Sequence, residues 1–252
     1  MVDEWSLQSG HGVRFEWGAA GAERLGREVD CTVVVDVLSF TTTVTVAADA
    51  GTRVVPYRWR DATAEAFAAG LGAELAVGRR SATPASPWSL SPAALRAAPR
   101  VPLLVLPSPN GSALAASAGT RHVVAGALRN ASAVADRLAR WGYGTLDRPV
   151  AVVAAGERWP DAGLRPALED LLGAGAIISG LRDRTDAVLS PEATAAAAVH
   201  GATADPAATI AASSSGRQLI SGGFGDDVAV AGEVDSSSLV PVLRDGAFVP
   251  ER

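Results

Sequence analysis

The chain has 252 residues, of which 48% are hydrophobic and 19% charged, with a formal net charge of −5 at pH 7. That apolar fraction is ample for a packed core and excludes a disordered chain, and the acidic balance argues against a dedicated nucleic-acid binder, which needs a basic face to displace counterions. All 22 basic residues are arginine, Cys31 is the lone cysteine and the histidines are only His11, His122 and His200, which excludes a P-loop lysine, a Schiff-base lysine, an intrachain disulfide, an iron–sulfur cluster and a multi-thiolate zinc site.

In chain order, Met1-Val2-Asp3-Glu4 is acidic and carries no signal-peptide core. Short valine-rich runs predict strands at Val13–Trp17, Thr32–Val37, Arg53–Tyr57, Leu103–Leu106, His122–Ala125 and Val150–Ala155. Several lack polar alternation, which suits strands buried on both faces of a largely parallel sheet. Alanine-rich segments between them predict helices at Asp61–Gly72, Ser91–Ala98, Ser112–Ala118, Asn130–Trp141 and Pro166–Leu181. Ser91-Pro92, Ser190-Pro191 and Asp205-Pro206 each place an N-cap residue before proline at the first helical position. Glycine-rich Trp141–Pro149 reads as a hinge or linker. Beyond Ser190 the pattern predicts two more helices, then short strands near Val228–Val230 and Leu239–Leu243. The fold class is therefore α/β, with largely parallel or mixed sheets flanked by helices. The longest uncharged apolar run, Leu171–Leu181, falls short of the roughly 20 residues of a membrane span and could serve a homodimer interface as readily as a core.

One arrangement recurs: a valine-rich strand, a polar loop, a helix. In the first loop, Asp36 ends a buried strand, where a carboxylate must be paired, hydrogen-bonded or metal-bound. Ser39, Thr41 and Thr42 follow, and these hydroxyls could cap a helix or hold a phosphate oxygen. The second loop, Ser108–Ser112, offers Asn110, Gly111 and Ser112, whose backbone N–H groups could grip an anion or simply form a turn. The third, Gly126–Ser132, carries Arg129, suited to a substrate anion or to a solvated surface, and Asn130 as a helix cap. The fourth combines Glu157 with Glu169 and Asp170. The last two could merely complement a helix dipole, or could join Asp36 and Glu157 around a hard cation. Gly173 and Gly175 would let their helix pack closely on a neighbour. Four polar loops at strand C-terminal ends stand where open α/β sheets place ligands. Carboxylates, amides and hydroxyls without a His/Cys nucleophile pair suit phosphate chemistry with an oxygen-ligated divalent metal.

These loops, in this order, resemble the 2-phosphosulfolactate phosphatase family. Asp36–Thr43 is similar to the family's Asp-Val-Leu-Arg-Ala-Thr-Thr-Thr, and Ser108–Ser112 to its Thr-Thr-Asn-Gly-Thr. Gly126–Ala135 is similar to Gly-x-x-x-Asn-Ala-x-Ala-Val-Ala. Ala154–Gly156, Glu169-Asp170 and Gly173–Ala176 follow its Cys-Ala-Gly…Glu-Asp…Cys-Ala-Gly-Ala pattern. Ser39 departs from the family arginine, and Arg79, Arg80 or Arg129 could supply the missing positive charge. The resemblance implies two α/β subdomains, residues 1–146 and 147–252, with the site between them. It implies a Mg2+-dependent phosphatase acting on a small anionic phosphate monoester. Asp36, Glu169 and Asp170 would be its metal ligands, and Glu157 a further ligand or base. Ser39, Thr41, Thr42, Arg79, Asn110, Gly111, Ser112, Arg129 and Asn130 would bind substrate. A small-anion binding protein on the same fold, without catalysis or with altered specificity, is the alternative. A cytoplasmic protein with no nucleic-acid or membrane partner is expected.

Overall fold

Strand-forming valine clusters between alanine-rich helices build one large mixed sheet, and the alternation of side chains along each strand decides which face each residue serves. The computed structural model describes residues 4–58 and 61–252; Met1, Val2 and Asp3 of the acidic start lie outside the described residues. After a short 3-10 turn at Glu4–Leu7 come β1 (Val13–Trp17), α1 (Gly18–Leu25), β2 (Cys31–Val35), α2 (Phe40–Asp49) and β3 (Arg53–Tyr57). Next are α3 (Thr63–Leu71), β4 (Glu74–Leu75), α4 (Pro92–Ala97), β5 (Leu103–Pro107), α5 (Gly111–Ser117) and β6 (His122–Gly126). Then follow α6 (Ala131–Arg140), β7 (Val150–Ala154), β8 (Glu157–Arg158), β9 (Leu164–Arg165) and α7 (Leu168–Arg182). The chain ends with α8 (Pro191–Ala202), α9 (Pro206–Ala212), α10 (Ser214–Ser221), α11 (Gly225–Ala231), β10 (Val240–Arg244) and β11 (Ala247–Glu251).

The sheet has nine strands in the order β1-β7-β2-β6-β10-β11-β3-β5-β4. The blocks β1-β7-β2-β6 and β3-β5-β4 are parallel within themselves. The hairpin β10–β11 joins them, antiparallel to β6 on one side and to β3 on the other. Its turn is Asp245-Gly246, both at positive φ, the geometry that matches strand twist in a two-residue hairpin. On β2, Cys31, Val33 and Val35 join the core under α6, α7 and α8, while Val34 joins the core on the opposite face with Leu25 and Val44. On β7, Val150, Val152 and Ala154 serve the first core and Ala151 and Val153 the second. The expected division at residues 146/147 falls between α6 and β7, and the sheet is continuous across it, because β7 is hydrogen-bonded between β1 and β2.

Seven of the eight predicted strands form, all but Val228–Val230, and the three Ser/Asp-Pro caps close as anticipated. Ser91, Ser190 and Asp205 side chains accept from the N–H groups of Ala94, Ala193 and Ala208. The close helix approach also forms: a Cβ on Gly175 would lie 2.2 Å from the Ala196 carbonyl oxygen of α8, and one on Gly173 2.8 Å from Val37 Cγ2. Leu171–Leu181 is largely consumed by the core, and among the described residues no helix is long and apolar enough to cross a membrane.

Three expectations are corrected. Val228–Val230 is helical, part of α11, because so short an apolar run does not distinguish period 2 from a helical turn, and Asp226 and Asp227 sit favourably in the first turn. Four helices rather than two follow Ser190, since Ser213 supplies an additional cap by accepting from Gly216 N–H. The glycine-rich stretch Trp141–Pro149 is anchored instead of forming a hinge. Tyr143 is fully buried, its hydroxyl meets His122 Nδ1 at 2.9 Å, Arg148 lies over its ring, and Trp141 stacks on His122.

Candidate active site

Because β2 and β7 are parallel neighbours, with Val35 opposite Ala154, the loops that follow them emerge side by side. Asp36 leaves the end of β2 and Glu157 begins β8 just beyond β7. The first turn of α7 lies across both loops. Asp170 Oδ1 accepts from Val37 N–H at 2.7 Å and Oδ2 from Gly156 N–H at 2.9 Å, so one carboxylate ties the two loops together. Glu169, beside it and buried, accepts from Ser213 Oγ at 3.3 Å; the same hydroxyl oxygen caps α10.

Asp36 is held from two helices. Its Oδ1 accepts from Phe40 N–H in the first turn of α2 at 3.3 Å, and Gly111 N–H at the start of α5 also donates to its carboxylate. Gly111 is required there by close approach: a Cβ would fall 2.6 Å from Asp36 Oδ2 and 2.4 Å from Phe40 Cδ1. Asn110, one residue earlier, donates Nδ2–H to Glu157 Oε2 at 3.1 Å. The loop after β5 therefore contacts both carboxylates.

The electrostatics follow from this crowding. Burial, then the charge of Glu157, push the Asp36 carboxyl up to about 7 against the pull of the Phe40 and Gly111 N–H groups. Asp170 is raised well above the ordinary range by burial and by Asp36 and Glu169, opposed by the Val37 and Gly156 N–H groups. Glu157 is raised by burial and Glu169, opposed by Arg165 and by the Asn110 amide. These carboxylates raise one another, as acidic groups sharing a confined site do.

Glu157 opens into a cleft of about 790 Å³ in which, among the described residues, it is the one carboxylate beside Arg79, Arg80, Arg158 and Arg165, with the rings of Trp159 and Phe224 and the neutral polar side chains of Ser214, Ser215 and Gln218 on the walls. Arg165 lies over Trp159, and Arg79 and Arg80 over Phe224. On the other side of β8 a second recess of about 200 Å³ shares Glu157 and Arg158 and is bounded by Asn110 and Trp17.

The structure thus brings Asp36, Glu157, Glu169, Asp170, Asn110 and Gly111 together, and adds Ser39, whose Oγ accepts from Arg79 Nη2. Other anticipated groups point inward. Thr41 and Thr42 hydroxyls return to the Asp36 and Val37 carbonyls, and Ser112 to that of Leu106. Asn130 makes no side-chain cap: its oxygen accepts from Ala127 N–H and its amide donates to the Ala125 and Leu239 carbonyls. Arg129 does not line the cleft. Its buried guanidinium binds Asp49, Glu233 and Thr45, toward the end of α2 opposite Asp36. Arg165, which lines the cleft, and Asp227, which is buried behind Arg79, escape sequence reasoning as site residues, since neither stands in a strand-end loop motif and only the folded chain brings them there.

The family model for 2-phosphosulpholactate phosphatase matches residues 22–246. A curated relative from Deinococcus radiodurans, named as a probable 2-phosphosulfolactate phosphatase, is 32% identical over 149 residues. The match covers 58% of this chain and 58% of that relative's length.

Proposed function

The chain belongs to the 2-phosphosulpholactate phosphatase family, and from that premise we propose that it hydrolyses a small anionic phosphate monoester, with 2-phosphosulfolactate as the first candidate and sulfolactate and phosphate as products. The observation that carries this reading is the meeting of four carboxylates at the ends of β2 and β7 beneath an arginine-lined cleft.

Magnesium suits the chemistry of these side chains. The cluster is all oxygen, and burial together with the charge of neighbouring carboxylates pushes Asp36 and Asp170 toward the protonated form, which is the electrostatic demand a hard divalent cation relieves. Among the described residues no three His, Cys, Asp or Glu side chains are already arranged to hold a metal ion. Asp36, Glu169 and Asp170 would hold it after adjustment of their side chains. When bound, it would polarise the phosphoryl group and neutralise charge in the transition state. Asp170 keeps the Val37 and Gly156 backbone in place through its two hydrogen bonds. Glu157, the carboxylate that lines the cleft, holds or accepts a proton at Oε1 while Asn110 fixes its other oxygen. The cleft arginines bind the anionic ester and orient it toward Glu157.

One observation favours a second reading, a small-anion binding protein: both Asp170 oxygens are already engaged by backbone N–H groups. Phosphate release from phosphorylated hydroxy acids, with magnesium and with EDTA, separates the two. Magnesium-dependent turnover supports the phosphatase; binding without turnover supports the second reading; turnover unaffected by EDTA removes the metal.

A further inference from the structure

Arg79 stands apart from the other cleft arginines in being held at two points. Its Nε–H donates to Asp227 Oδ2 at 2.9 Å and its Nη2 to Ser39 Oγ at 2.5 Å. Asp227 is itself fixed. Its side chain is 1% exposed, and Oδ1 accepts from Ser91 Oγ and from Ala93 N–H. Four separate pieces of chain, the Asp36–Ser39 loop, the 3-10 turn at Arg79–Ser81, the start of α4 and the start of α11, are therefore linked through the Arg79–Asp227 pair. Such an arrangement is more than stability requires of an arginine that faces a cleft. It fixes the plane and direction of a five-donor fork, and the donors not used by Asp227 and Ser39 are left to the cleft.

The charge of that cleft indicates what the fork reads. Four guanidiniums line it against the single carboxylate of Glu157. A phosphate group gripped at the carboxylate end does not use them all, so the leaving group should carry acid of its own. We propose that Arg79 is the specificity-determining residue for an acidic group, carboxylate or sulfonate, on the leaving-group side of the ester, and that Asp227 is its positioning residue; this deepens the phosphatase reading and rests on it. Asp227 touches no ligand. It acts by holding Nε, so that both Nη atoms keep a fixed aim.

The test compares three two-carbon esters: phosphoglycolate, the phosphate ester of 2-hydroxyethanesulfonate, and ethyl phosphate. For each, kcat and KM are measured with magnesium, and binding is measured by calorimetry. The wild-type chain is expected to prefer one or both acidic esters in kcat/KM, and the better acid identifies carboxylate or sulfonate. In Arg79→Ala and in the uncharged but polar Arg79→Gln that preference should shrink about 10- to 100-fold, the range of a charge-assisted hydrogen bond, and chiefly through KM. Asp227→Asn should move KM in the same direction by less, with kcat changed little; a merely structural Asp227 would lower melting temperature and kcat for all three esters alike. Arg79→Lys should not restore the preference, because an ammonium cannot span Asp227, Ser39 and a ligand at once. A wild-type chain that treats acidic and neutral esters alike, or an Arg79 variant that keeps the full preference, overturns the proposal. If no ester is turned over, the phosphatase reading fails by itself, and calorimetric preference for phosphoglycolate over ethyl phosphate, lost or kept in Arg79→Gln, still decides the role of Arg79.

Discussion

Adding one methyl group at Gly111 tests the geometry of the carboxylate site directly. In Gly111→Ala the new Cβ would stand 2.4 and 2.5 Å from Phe40 Cδ1 and Cγ and 2.6 Å from Asp36 Oδ2. Ordinary carbon contacts are about 3.5–4.0 Å, so roughly 1 Å of movement is needed. Phe40 has little room to retreat, being fully buried with its ring edge-on to Phe248 at 6.1 Å. The strain therefore falls on Asp36 and on the start of α5. Overpacking of this kind costs about 1–3 kcal/mol, which for a chain of this size lowers Tm by roughly 2–12 °C. A displacement of about 1 Å at a reacting group lowers turnover about 100-fold. Phosphate release with magnesium and a thermal melt read both effects. Gly201→Ala in α8 is the matched control, since nothing lies within 4 Å of a Cβ there; it should stabilise by about 0.5–1 kcal/mol, the ordinary helix gain of alanine over glycine. Full activity and unchanged melting in Gly111→Ala would refute the placement of Asp36 against α5.

Further outcomes follow from the same geometry. With cations removed by EDTA, stability should fall as pH rises from about 4 to 7. The folded chain keeps a proton on Asp36, raised to about 7, that the unfolded chain has already released, so the native state binds more protons in that window. The full effect is about 4 kcal/mol as an upper limit, Glu157 and Asp170 act in the same direction, and magnesium should reverse the trend; melting temperatures that are flat or rising across this range would contradict it. Asp170→Asn leaves either Val37 or Gly156 N–H facing an amide NH2 instead of an oxygen. Such an orphaned donor costs about 1–3 kcal/mol, and turnover should fall with it; a variant of wild-type activity would show that the two loops need no tie. Arg129→Ala should destabilise by about 2 kcal/mol, a moderate loss because Asp49 and Glu233 are partly exposed and can be re-solvated. KM should stay within about twofold, in line with its place outside the cleft, and a large rise in KM would return Arg129 to the substrate.

Local physics made much of the architecture legible before folding. Valine runs flanked by proline-capped, alanine-rich segments specify strands and helix starts through neighbours a few residues apart, and seven of the eight predicted strands form. The loops bearing Asp36, Asn110, Glu157 and Asp170 are likewise readable, because a carboxylate or amide at the end of a buried strand is costly without a partner. The Asp245-Gly246 hairpin turn was legible in principle, yet its role in joining the two parallel blocks depends on β6 and β3 standing on either side of it.

Tertiary structure alone decides which polar groups face the cleft and which are spent in holding it. Thr41, Thr42, Asn130 and Arg129 have the composition of ligand-binding residues, but their donors and acceptors are taken up internally. Asp170 meets Val37 across 133 residues, and Arg79 meets Asp227 across 148. No periodicity encodes such partners. A side chain's local preference is set by its own backbone and near neighbours, whereas the burial, charge and hydrogen bonds that give it a role come from segments that only the path of the chain through the sheet brings within reach.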